Sequence, residues 1–161
     1  SGAIPLAAMI AREDMGDAFI GPVEDDSNFA HGHTYAGNPL ACAVGIAVLD
    51  ELEEKQLPQR AVELGEYLAG KLEGLKKFGV VREVRGKGLL RGVELVKDTA
   101  SMEPFTELGA IFKKTALENG LIIRIDPTWF AVAPALIATR DNIDELYALV
   151  EQSLSDALER V

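Results

Sequence analysis

The sequence predicts a mixed α/β chain that ends in an α+β unit. Three observations predict it. Long segments repeat apolar residues every three or four positions, as amphipathic helices do. Short apolar runs rich in valine and isoleucine are bounded by glycine, proline and aspartate, as strands are. One helix-length segment is apolar on every side. Apolar residues make up 48% of the 161, enough to bury a core and to set disorder aside.

Taken in order, residues 4–10 are apolar throughout and read as a short buried strand ended by Arg12-Glu13-Asp14. Left uncovered, that run would be an aggregation-prone edge. Residues 16–28 are acidic and turn-rich, a surface connection, and residues 31–38 (HGHTYAGN) form a loop by composition. Asn38-Pro39 then opens a helix, because asparagine caps and proline suits the first helical position. From Leu40 to Leu49 this helix is apolar all round, which predicts burial. Its small residues Ala41, Ala43, Gly45 and Ala47 admit a close neighbour, and from Asp50 to Lys55 it turns charged.

A second helix is expected from about Pro58 to Phe78, on the stripe Ala61, Leu64, Leu68, Leu72 and Leu75. Lys71, Lys76 and Lys77 near its end suit the helix dipole. Strands are expected at residues 80–84 and 89–96, around Arg85-Gly86-Lys87-Gly88. A third helix spans 107–119 with Gly120 as its C-terminal cap. Strands at 121–125 and 130–136 come next, joined by Asp126-Pro127-Thr128. The last helix starts at the cap Thr139 and carries Ile143, Leu146, Tyr147, Val150, Leu154, Leu158 and Val161. The first fifty residues are too few for a domain of their own. We therefore expect residues 1–50 to belong to a larger domain and 51–161 to form a small one.

The charge balance of 16 basic against 26 acidic residues, −10 net, argues against nucleic acid or an anionic membrane as partner. No run approaches about 18 uncharged apolar residues, so no membrane span is expected. The start lacks the basic region of a signal peptide. The single cysteine, Cys42, allows no internal disulfide and suits a reducing, cytoplasmic setting.

Four blocks, in order, carry a resemblance. They are Ser1-Gly2-Ala3-Ile4-Pro5-Leu6-Ala7-Ala8; His31-Gly32-His33-Thr34-Tyr35-Ala36-Gly37-Asn38-Pro39-Leu40-Ala41-Cys42-Ala43; Arg85-Gly86-Lys87-Gly88-Leu89 with Gly92-Val93-Glu94-Leu95-Val96; and Gly120-Leu121-Ile122-Ile123-Arg124 with Ala133-Pro134-Ala135-Leu136. Together they resemble class III aminotransferases of fold type I, the second block most specifically. The resemblance covers essentially the whole chain and implies the C-terminal part of that fold. It implies pyridoxal 5'-phosphate as cofactor, and a small-molecule amine and keto acid as substrates. It also implies a homodimer or tetramer with a shared active site. The lysine that anchors the cofactor falls just before the Ser-Gly pair in the family. It is therefore expected upstream of Ser1, and the chain alone is expected to be inactive.

Residue by residue, the resemblance puts Thr34 on the cofactor phosphate of the neighbouring subunit, where a hydroxyl just before a helix N-terminus suits an anion. The plain alternative is a threonine bonding its own loop. Ser1 and Gly2 fall near the same cofactor. Arg124 matches the arginine that grips a substrate carboxylate in ω-aminotransferases, since a guanidinium fork fits a carboxylate. The alternative is an ion pair, for instance with Asp126. Trp129 lines the entrance or simply packs, and Asp126-Pro127-Thr128-Trp129 departs from the glycine-containing turn of the family.

Lys87 sits in a Gly-x-Gly setting, but the spacing is that of neither a P-loop nor a dinucleotide fingerprint. The resemblance puts it far from the chemistry. His31 and His33 could pair on a metal, but nothing nearby completes a site. Arg124 and the segment from Val96-Lys97-Asp98 to Glu103-Pro104-Phe105 bring the resemblance toward the ω-aminotransferase group, which implies an amine or ω-amino acid as donor and pyruvate or a similar keto acid as acceptor. An aminomutase, or a transaminase of the acetylornithine or GABA type, is the neighbouring alternative. A non-catalytic module that needs a partner chain is the alternative of another class.

Overall fold

A computed structural model describes residues 4–27 and 29–161, without the side chain of Val23. The chain divides into two compact units between Lys55 and Gln56.

In the first unit, residues 4–10 do not form the expected strand. Met9 and Ile10 are 81% and 95% exposed, and no regular structure appears between Pro5 and Arg12. A strand needs neighbours for its backbone N–H and C=O groups, and the described residues of this unit supply only helices. These are the short α1 (Glu13–Asp17), a 3-10 turn at Val23–Asp25, and α2 (Pro39–Glu54). Acidic Glu13 and Asp14 open α1, where the helix dipole favours them.

Helix α2 begins as expected, on the Asn38 cap and Pro39. Its expected burial is not found: Ala41 is its one buried residue, and Leu40, Ile46 and Leu49 are exposed. One short segment covers one stripe of the helix and no more. Leu6 fills the space beside Gly45, where an added Cβ would come within 2.5 Å of Leu6 Cδ2. Cys42 is half-buried.

The second unit has a four-stranded antiparallel sheet in the order β1-β2-β4-β3. The strands are β1 (Val81–Lys87), β2 (Leu90–Leu95), β3 (Arg124–Asp126) and β4 (Trp129–Val132). Two helices pack on it, α3 (Leu57–Glu73) and α4 (Thr106–Glu118), and α5 (Arg140–Leu158) packs against both of them. Burial alternates along β2 and β4. Val93, Leu95, Phe130 and Val132 face the helices, while Gly92, Glu94, Trp129 and Ala131 lie on the more open face. Phe112 of α4 meets Phe130 edge to face at 5.1 Å, at the centre of the core. Thr115 is buried there too, its hydroxyl donating to the Ser153 carbonyl at 2.8 Å across α4 and α5.

Local chemistry explains where these elements depart from expectation. The second helix does not run unbroken to Phe78. It tightens at Gly74 into a 3-10 turn (Gly74–Phe78) that still buries Leu75, and Gly79 at φ 72° ends it. The first hairpin is longer than expected. Arg85, Gly86 and Lys87 stay in the ladder, opposite Gly92, Arg91 and Leu90, and only Gly88-Leu89 turns. Arg91 is the reason. It is buried on the helix side, with Nε donating to Gly88 O at 2.8 Å, Nη1 to Gly86 O at 3.1 Å and Nη2 to Glu66 at 2.9 Å. A buried guanidinium is tolerated when its donors are filled in this way.

At the other edge, residues 121–123 carry no regular structure, and β3 keeps only three residues. Strand β3 is the edge of the sheet, paired with β4 alone, and β4 stops short of Pro134, which cannot donate to a ladder. Helix α4 ends as expected on Gly120 at φ 79°. The Leu121 N–H returns to Ala116 O at 2.8 Å and the Gly120 N–H to Leu117 O at 3.1 Å, a Schellman closure. A capping box of Thr139 and Asn142 starts α5.

Two measurements test this packing. A Cβ at Gly65 would lie 2.2 Å from Gly88 O, so Gly65→Ala should destabilise the fold by about 1–3 kcal/mol in urea melts. An unchanged midpoint would mean that α3 does not sit this close. Tyr147 is pushed from 10.0 up to about 12, first by burial, then by its hydrogen bond to Glu151 and that carboxylate's charge. A raised folded value stabilises fully below the unfolded value and less as pH climbs through the folded one. Stability should therefore fall between pH 10.0 and about 12. Tyr147→Phe should flatten that slope in melts compared across the window, and an unaltered slope would assign it elsewhere.

Candidate functional site

The first candidate is the loop before α2. The Ala36 N–H donates to His33 O at 3.0 Å and the Asn38 N–H to Tyr35 O at 3.1 Å, so two overlapping turns shape residues 33–38. Gly37 adopts φ 72°, the left-handed conformation that favours glycine. Asn38 Oδ1 then accepts from the N–H of Leu40 at 3.0 Å and of Ala41 at 3.2 Å, and Cys42 N–H donates to Asn38 O at 3.0 Å. Pro39 has no N–H to give. The first amides of α2 are thus taken up by the cap, so an anion at this loop would meet the Thr34 hydroxyl rather than free helix amides.

Thr34 stands exposed at the start of the turn. Among the described residues its hydroxyl makes no hydrogen bond. A phosphate dianion fits here as far as an open hydroxyl and the positive end of the α2 dipole go. The loop brings no lysine or arginine of its own. Its flank is a row of rings: Phe19 to Phe29 at 5.1 Å, Phe29 to His31 at 5.7 Å, and His31 to His33 at 5.1 Å. Among the described residues no three metal-ligating side chains gather. Ser1 and Gly2 lie outside the described residues.

The second candidate is the β3–β4 hairpin. Pro127 and Thr128 form its two-residue turn, and Asp126 and Trp129 face each other across it. Arg124 lies two residues earlier on β3, so all three share one face of the sheet. Arg124 Nε donates to Asp126 Oδ2 at 2.9 Å, and its guanidinium carbon sits 5.0 Å from the Trp129 ring centroid. The ion pair expected as an alternative is therefore present. Yet the arginine remains 71% exposed, and Asp126 occupies only its Nε. Trp129 packs, half-buried, against that arginine.

Arg124 stands between two open grooves. One, about 540 Å³, is lined by Arg85, Leu90, Gly92, Arg124, Trp129 and Ala131. The other, about 480 Å³, is apolar and runs past Ile122, Ile123, Ala133 and Pro134. Lys87 is exposed at the end of β1, opposite Leu90. The stacking of Trp129 on Arg124 is not evident in sequence. An Arg-x-Asp-x-x-Trp order is informative only once a two-residue turn is known to put the three on one face.

The class III aminotransferase family model matches residues 1–154. An adenosylmethionine-8-amino-7-oxononanoate aminotransferase of Geobacter sulfurreducens is 36% identical over 157 residues, covering 96% of this chain and 35% of the relative. An ornithine aminotransferase of Staphylococcus carnosus is 38% identical, covering 99% of this chain and 33% of the relative. Among solved structures, a thermostable (S)-enantioselective omega-transaminase from Thermomicrobium roseum superposes with a TM-score of 0.81 at 37% identity. That match covers 91% of this chain and 33% of the other. The chain thus spans about a third of the length of the relatives it matches.

Proposed function

The chain belongs to the class III aminotransferase family, and on that premise we propose that it is part of a pyridoxal 5'-phosphate-dependent transaminase. The enzyme would move an amino group from an amine or ω-amino acid to a keto acid such as pyruvate. In this reading residues 1–50 belong to the large, cofactor-binding domain and 51–161 form the small domain. The lysine that anchors the cofactor lies on a segment preceding Ser1. When bound, pyridoxal 5'-phosphate supplies the electron sink that lets an amino group leave one carbon skeleton and enter another.

Thr34 donates its hydroxyl to the cofactor phosphate, and Ser1 and Gly2 approach the same cofactor. The observation that carries this reading is the Thr34 hydroxyl, open in a loop whose own hydrogen bonds are closed without it. Arg124 grips the carboxylate of the acceptor, supported by its exposure and by the Nη donors that Asp126 leaves free. Trp129 borders the same groove. The likeness to an omega-transaminase favours an ω-amino donor. Exposed Tyr35, Leu40, Ile46 and Leu49 favour a homodimer or tetramer in which neighbouring subunits share the site, because so much apolar surface is seldom left to water. Among the described residues no helix is long and apolar enough to cross a membrane.

Two substitutions, made in the transaminase that carries this chain, test the assignment. Thr34→Ala should weaken pyridoxal 5'-phosphate binding about 10- to 100-fold in equilibrium dialysis, the effect of one hydrogen bond to a charged group. Thr34→Ser should restore most of it, and equal affinity in all three proteins would put the phosphate elsewhere. Arg124→Ala should raise the KM for pyruvate about 10-fold or more, while the KM for an aldehyde acceptor without a carboxylate stays unchanged. An unchanged pyruvate KM would remove Arg124 from the substrate site.

A further inference from the structure

The geometry points to Asp126 and Trp129 as positioning residues that hold the Arg124 guanidinium by one edge and one face, leaving its two Nη groups aimed for a carboxylate. This rests on the proposed role of Arg124 in binding the acceptor. A guanidinium has five N–H donors. Asp126 takes the one on Nε at 2.9 Å, and among the described residues the four on Nη1 and Nη2 meet no acceptor. Trp129 covers one face, 5.0 Å from the ring centroid to the guanidinium carbon. A long, exposed side chain would otherwise sample many rotamers, and ordering it on binding costs affinity.

The hairpin that carries the clasp is itself fixed from two sides. The Leu95 N–H donates to Thr128 O at 2.8 Å, tying the turn to the end of β2. Helix α4 presses on its other side at Gly109, where an added Cβ would lie 2.2 Å from Pro127 O and 2.8 Å from Asp126 O. Asp126 and Trp129 are register partners, and Arg124 is set from the same strand as Asp126. Neither residue need touch the substrate. Their effect is to present one orientation of the fork, as supporting shells do for binding groups.

Exposed ion pairs and exposed cation–π contacts are each worth little, so the expected effect is modest and selective. In the transaminase that carries this chain, Asp126→Ala and Trp129→Ala should each raise the KM for pyruvate about fivefold. In Asp126→Ala the kcat and the KM for an aldehyde acceptor without a carboxylate should stay unchanged. Trp129→Phe, which keeps a ring face, should recover most of the loss. In the same transaminase, the Arg124 Nε–H should exchange more slowly than that of a free arginine, and Asp126→Ala should abolish the difference.

A pyruvate KM that falls in Asp126→Ala would show that Asp126 competes with the substrate, and would overturn the proposal. So would equal changes for both acceptors, or fast Nε–H exchange in the unaltered chain. Arg124→Ala separates the two levels. If it leaves the pyruvate KM unchanged, the carboxylate role of Arg124 fails. If it raises that KM while Asp126→Ala and Trp129→Ala leave it alone, only the clasp fails.

Discussion

Helix backbone lies directly against turn backbone at two places in the second unit, and the arrangement of its sheet depends on them. Gly65 of α3 meets the Gly88 turn, and Gly109 of α4 meets the Pro127 turn, each too close for a methyl group. Such approaches bring a helix axis nearer to the sheet than ridge-and-groove packing allows. The core then fills from both ends, with Leu64, Leu68 and Leu72 behind β1 and β2, and Leu108 and Phe112 behind β3 and β4. Helix α5 closes the layer through Ile143, Val150 and Leu154.

The sheet's two edges are held by different chemistry. At the β1–β2 end a buried arginine satisfies one turn carbonyl, one strand carbonyl and one carboxylate, so Arg91 serves shape alone. At the β3–β4 end an exposed arginine is held by one carboxylate and one ring, with donors to spare. Two residues of the same type therefore do opposite work. One has three of its five donors bound inside the fold and the other has one bound, and burial is the difference between the two.

Most helices are legible in the sequence because periodicity and caps are local signals. Asn38-Pro39, Thr139 with Asn142, and Gly120 all sit where their chemistry sets them. Residues 4–10 depart from expectation because an apolar run cannot say whether it will find a strand to pair with, and here it finds helix α2 instead. The apolar face of α2 departs for a related reason: hydrophobicity records the surface to be covered, and the covering group is not written into the segment. The strands of the second unit lie where the sequence places them, but their lengths differ. Pairing limits β3 and Pro134 limits β4, while Arg91 lengthens the hairpin of β1 and β2. Of the candidate site, Thr34 and Arg124 are visible through the motif blocks, whereas the grip of Trp129 on Arg124 depends on a cross-strand register.

The cap on α2 leaves its loop room to change over time. Because Asn38 supplies acceptors for the helix's opening amides from within the chain, the helix is complete before any anion arrives. Its start does not rely on Thr34. Position 34 is therefore free to be rewritten without unravelling the helix behind it, and the ability to recognise a ligand is uncoupled from the ability to fold.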